Sequence, residues 1–203
     1  MSDRDVAIAT IKAEHRALGA VLHTLQQLLR KVEAGHGEPE FALFAAALYY
    51  IDDFQERCHH PKEDEYIFKS LGAAMSEFDG VIGGLQAQQA SSACAVADFY
   101  RQLVHYQGGA PGMLATLRAG VDAYAAQMVE HMRREEDLLD HSRDIISPQN
   151  WARMAAAFSE NDDPLFGNHR REEFARFLQR IQMLAPRKLK QSLYPATRSE
   201  RCP

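Results

Sequence analysis

The segment from Cys58 to Phe68 reads CHHPKEDEYIF, with two adjacent histidines, a proline and three acidic residues in one short run. His59 and Glu63 are four apart, so a helix places them on one face, where both can aim at one point. The same spacing returns with His131 and Glu135 in EHMRREEDLL. Imidazole supplies nitrogen, and a carboxylate supplies oxygen and can bridge two cations. Mixed nitrogen and oxygen donors suit iron, manganese or zinc rather than a soft copper site. A single His-x-x-x-Glu is most often a surface ion pair. Two of them, both falling on apolar helix faces, point instead to a metal held inside the fold.

The elements that must carry these residues are helices. Ile8, Ile11, His15, Leu18, Leu22, Leu25, Leu29 and Val32 step by three and four, and Gly35 and Gly37 close the run. A second helix starts near Pro39, buries Phe44, Leu48 and Ile51, passes through CHHPKEDEYIF and stops near Gly72. Pro61 has no amide hydrogen and is expected to kink it. The third begins near Phe78 with the seam Ile82, Leu85, Gln89, Ser92, Val96, Phe99 and Leu103. After the loop QGGAPG, the fourth carries Leu114, Leu117, Val121, Tyr124, Met128, His131, Glu135, Leu138 and Ile145. Ser147 and Pro148 open a fifth with Trp151, Met154, Ala155 and Phe158 inward. A sixth runs from about Arg170 to Leu184. This predicts an all-α fold: an up-down-up-down four-helix bundle over 1–146 and two additional C-terminal helices over 147–184 packed on it. A basic tail follows over 185–203 (Arg187, Lys188, Lys190, Arg198 and Arg201), read as loosely held.

Each seam is interrupted by polar residues at one level: His15, then His59 with Glu63, then Gln89 with Ser92 a turn on, then His131 with Glu135. Burying such groups unpaired costs several kcal/mol each, and a bound cation satisfies them together. His15 alone would read as a satisfied core histidine; in this company it reads as a ligand. His60 points about 100° from His59 in an ideal helix, and the Pro61 kink could swing it back, so its role stays open. His23, His36, His105, His141 and His169 fall off the seams or in loops. Lys62, Asp64 and Glu65 are expected to face solvent. Cys58 and Cys94 read as small core fillers. Tyr49, Tyr50, Tyr124 and Met128 read as core before they read as a pocket lining.

The 203 residues suffice for one domain with a substantial core. A formal net charge of −5 argues against a nucleic-acid binder. No apolar run reaches membrane-span length, and the N-terminus lacks a signal-peptide core. Three cysteines make no disulfide framework, so a reducing cytoplasm is the expected compartment.

The motifs EHRAL around His15, HHPKEDEYIF, and EHMRREEDLL around His131 and Glu135 resemble the hemerythrin-like (HHE cation-binding) family, over Ile8 to about Ile146. The stretch NWARMAAAFSENDDPLFG resembles the C-terminal extension of bacterial members. The resemblance implies a non-haem di-iron centre inside the bundle, with His15, His59 and His131 as terminal ligands and Glu63 and Glu135 as bridges. Some members use the position after the second-helix histidine, here His60. One departure stands out: the family usually has a third-helix histidine where this chain has Gln89, a weak neutral oxygen ligand, so one metal could be loosely held or absent, or His60 or water could fill the gap. Three firm histidines and one open one argue against a dedicated O2 carrier. The implied function is a metal-binding protein that binds or senses O2, NO, peroxide or iron, with a homodimer possible through the last two helices. The alternatives are a di-iron oxidase, peroxidase or NO-handling enzyme, and an interaction module with a degenerate metal site.

Overall fold

The computed structural model describes residues 1–167 and 171–186, with the backbone alone at Glu173. His169, Cys202 and the basic residues of the expected tail lie outside the described residues. Among the described residues every regular element is helical, and no helix is long and apolar enough to cross a membrane.

Helix α1 spans Asp3–Glu33. Ser2 and Asp5 form a capping box at its start, each side chain accepting from the other's backbone N–H at 3.2 Å. At its end Gly35 adopts φ 71°, which a side chain would resist. That turn lets the Gly35 and His36 N–H groups reach back to the Val32 and Lys31 carbonyls, both at 2.9 Å.

Helix α2 occupies residues 41–74 as one continuous run of right-handed helical backbone, but its winding is not uniform. It is α-helical over Phe41–Tyr50, π-helical over Ile51–His59, α-helical over His60–Lys62, π-helical over Glu63–Phe68, and α-helical again over Lys69–Ala74. The His60 N–H reaches five residues back to the Gln55 carbonyl. A π-turn is wider than an α-turn, so successive residues advance by less than the α-helical 100°. The helical backbone runs on through Pro61, with the π-helical stretches on either side of it.

Helix α3 spans Asp79–Gln107 and α4 spans Met113–His141. Helix α5, Pro148–Ser159, starts where Ser147 Oγ accepts the Asn150 N–H at 3.2 Å. Helix α6 is Ala175–Leu184, preceded by the tight turn Glu172–Phe174. The buried residues of α3 are Ile82, Leu85, Gln89, Ser92, Val96, Phe99 and Leu103, the seam expected from the sequence.

Two apolar cores hold the rods together. One gathers Leu18 to Leu29 of α1, Phe44, Leu48 and Phe54 of α2, Val96 to Leu103 of α3, Leu117 to Met128 of α4, and Phe177 and Ile181 of α6. The other gathers Ile8 and Ile11 of α1, Ile67 to Leu71 of α2, Ile82 and Leu85 of α3, Leu138 and Leu139 of α4, and Trp151, Met154 and Phe158 of α5. Every long helix crosses from one core to the other. The residues between the cores are polar: His15, His59, His60, Glu63, Gln89, His131 and Glu135, all of them buried.

Leu29 is fully buried in the core remote from that polar layer. Leu29→Ala is expected to lose about 2–5 kcal/mol of unfolding free energy in a urea titration, with metal content unchanged.

Candidate metal centre

Each of the four long helices sends side chains into the layer between the cores. The Nε2 atoms of His15, His59, His60 and His131 are buried and have no hydrogen-bond partner, as are Glu63 Oε1 and both carboxylate oxygens of Glu135. These atoms nevertheless crowd together. His59 Nε2 lies 2.8 Å from Glu63 Oε1, and His131 Nε2 lies 2.9 Å from Glu135 Oε1. His15 Nε2 is 3.5 Å from an oxygen of each carboxylate. Donor atoms that converge without hydrogen-bonding geometry are what a shared cation leaves to be satisfied.

They form two trios. His15, His59 and Glu63 each offer a ligand atom within 4.8 Å of the others, and so do His60, Glu63 and His131. Glu63 belongs to both, and Glu135 touches a histidine of each. His60 therefore faces the layer with His59: its ring centroid lies 5.6 Å from that of His131.

The opposite edge of every ring is tethered. His15 Nδ1 lies 3.1 Å from Glu136 Oε1, His59 Nδ1 2.6 Å from Glu14 Oε2, and His60 Nδ1 3.1 Å from Glu56 Oε2. His131 Nδ1 lies 3.1 Å from Gln88 Oε1. A carboxylate or amide oxygen accepts, so Nδ1 carries a proton, and a neutral ring bound to a cation would present its Nε2 lone pair inward.

Gln89 is buried but is not arranged as an oxygen ligand: its Nε2 donates to Glu63 Oε2 at 3.0 Å. It steadies the shared carboxylate. Ser92 and Tyr124 do the same for Glu56, with Ser92 Oγ donating to Oε1 and the Tyr124 hydroxyl reaching that oxygen at 3.2 Å.

Charge explains the protonation tendencies. Burial opposes the charged form of His59, but Glu63 and Glu14 beside it win and raise its pKa well above the ordinary histidine value. Burial likewise opposes charge on His15, and the carboxylates of Glu136 and Glu63 beside it override that, raising its pKa. Burial also opposes charge on Glu63, yet His59 and His15 hold its pKa well below the usual carboxylate range. At Glu135, burial and the neighbouring Glu63 charge push the pKa up. Two carboxylates pressed together in a dry layer call for positive charge between them.

The seven residues singled out from the sequence thus all lie in one layer, with six presenting donor atoms inward and Gln89 bonded to Glu63. What sequence reasoning missed is the ring around them: Glu14, Glu56, Gln88 and Glu136. Two departures concern neighbours. Lys62 is half-buried rather than free in solvent: its Nζ donates to the Ala157 carbonyl at 2.6 Å and also to the Asn161 side chain. Cys94 is exposed rather than a core filler, and Cys58 is half-buried with Sγ 3.1 Å from Asn161 Oδ1. Tyr49 is partly exposed, while Tyr50 is buried and donates to Asp163 at 2.7 Å. Surface cavities of about 410 and 440 Å³ lie away from the layer, one beside Arg143 and Trp151, the other beside Phe78 and Leu138.

No curated protein and no solved structure matches the chain. The family model described as the hemerythrin HHE cation binding domain matches residues 6–140, a span that takes in His15, His59, His60, Glu63, Gln89, His131 and Glu135. The chain belongs to the hemerythrin HHE cation-binding family.

Proposed function

We propose that the protein is a non-haem di-iron protein that binds or senses a small ligand, O2, NO or peroxide. One iron is assigned to His15 and His59, the other to His60 and His131, with Glu63 and Glu135 shared between them. The observation that carries this is the set of orphaned, converging donor atoms, four of them imidazole Nε2 atoms whose other nitrogen is already tied. The charge supports two metals over one. Glu14, Glu56, Glu63 and Glu135 have side chains no more than 8% exposed, and two divalent cations balance four such carboxylates.

Iron bound there would supply a redox couple and affinity for a diatomic or peroxide ligand. The chain's own part is to hold the donors and keep the ligand small. His15, His59, His60 and His131 are at most 3% exposed, and the two large cavities open elsewhere, which favours a small ligand over a bulky substrate. Four histidines and two carboxylates leave positions open on two metals, and Gln89 does not close one. The same openness is the case for the enzymatic alternative, a di-iron oxidase, peroxidase or NO-handling protein; turnover of peroxide or NO would favour it.

The order in which α1, α2, α3 and α4 visit the two cores supports the up-down-up-down arrangement. We assign the bundle to 1–146 and the extension to 147–184, and place the protein in a reducing cytoplasm.

Metal per chain, measured after purification without added metal, is expected to be about two irons, with a near-ultraviolet charge-transfer band that bleaches on reduction. One zinc, or no metal and no band, would overturn the di-iron reading. His59→Ala, His60→Ala and His131→Ala are each expected to lower metal content sharply, while His23→Ala leaves it unchanged; equal content across the four would reject the ligand assignment. Gln89→His is expected to slow iron loss to a chelator by about tenfold, and an unchanged rate would show that position 89 does not face a metal.

A further inference from the structure

Asn161 lies beyond the matched span, just past the end of α5, with its N–H 3.1 Å from the Phe158 carbonyl. Its side-chain amide is used at both ends. Nδ2 donates to Glu14 Oε1 at 3.0 Å and to Oε2 at 3.2 Å. Oδ1 accepts from Lys62 Nζ and from Cys58 Sγ, residues on either side of His59 in α2. Glu14 Oε2 is also the oxygen that takes His59 Nδ1 at 2.6 Å. One amide from the extension therefore ties α1 to α2 around a single imidazole. The Phe158 ring, fully buried, stands edge-on to the same imidazole with centroids 5.7 Å apart.

We propose that Asn161 is a positioning residue for the metal centre: it holds Glu14 in the rotamer that orients His59. This rests on the metal-centre reading above. Glu14 is a buried carboxylate. Its orientation is fixed only if its oxygens are supplied with donors, and Asn161 supplies both with an N–H that the Lys62 ammonium, bonded to the far end of the same amide, polarises. Outer partners of metal-binding histidines change affinity by about 10–100-fold when removed. Coupling is reciprocal, so metal binding in turn secures the end of α5 against α1 and α2.

The test uses the full chain and cobalt(II), whose visible absorption reports ligand geometry. Cobalt affinity is measured by chelator competition for the wild type, Asn161→Ala, Asn161→Asp, Glu14→Ala and the Asn161→Ala/Glu14→Ala double variant. Hydrogen exchange of residues 155–163 is followed with and without cobalt. Asn161→Asp keeps an oxygen for Lys62 and Cys58 but loses the donor to Glu14, so it separates positioning from packing. Expected are a 10–100-fold loss of affinity in both Asn161 variants, an altered cobalt spectrum, and no further loss when Asn161→Ala is added to Glu14→Ala. Cobalt should slow exchange at the end of α5 in the wild type and not in Asn161→Asp. Wild-type affinity and spectrum in both Asn161 variants, or additive losses in the double variant, would overturn the proposal while leaving the metal centre standing. A wild type that binds no cobalt would overturn the metal-centre reading, and this one with it.

Discussion

The constraint on which the structure depends is that imidazoles cannot be buried half-satisfied. In this layer each of four rings is tied at Nδ1 and left with a bare Nε2 pointing at two carboxylates. A ring tied at one edge keeps a single orientation, and here the inner edges converge. The cost of holding such groups dry is several kcal/mol each, set against two cores that bury Leu, Ile, Phe and Met from every long helix. The cores lie on both sides of the polar layer, which keeps the rods in register while the layer itself contributes little cohesion of its own.

Helix α2 has the harder task, because it must deliver two adjacent histidines and a glutamate to one face. A uniform α-helix turns His60 about 100° away from His59. The π-helical stretches Ile51–His59 and Glu63–Phe68 bracket the short α segment His60–Lys62, and the wider turn brings both rings inward. π-turns cost backbone hydrogen-bond quality and are found mostly where function needs them. Their concentration on either side of the ligand run is in keeping with that.

The seams were legible because period and composition agree. All seven residues of the α3 seam are the buried residues of that helix, and Gln89 was visible as the odd member of an apolar row. The site's inner residues were legible for the same reason, each being a polar break at the same level. The tethers were not. Glu14 stands beside His15 in the chain but serves His59 across the interface, while Glu136 stands beside Glu135 and serves His15. Adjacent residues on a helix point in different directions, so a pair such as Glu14-His15 says that a carboxylate flanks the seam without saying whose ring it holds. The winding of α2 was hidden too, since nothing in CHHPKEDEYIF separates a π-turn from a proline kink. Lys62 was misread because its partners, Ala157 in α5 and Asn161 just past its end, lie about a hundred residues away in the chain.

The tethers also differ in kind, and this makes the two trios unequal. His15, His59 and His60 are each held by a carboxylate, His131 by the neutral amide of Gln88. A carboxylate partner makes an imidazole a stronger donor than an amide does, so the His15 and His59 side has two strengthened rings and the other side one. The shared residue Glu63 is steadied by Gln89, which donates instead of competing for a metal position. In the proposed di-metal centre, the His15 and His59 side would be the better-anchored position and the His60 and His131 side the looser one, with Glu63 and Glu135 shared between them.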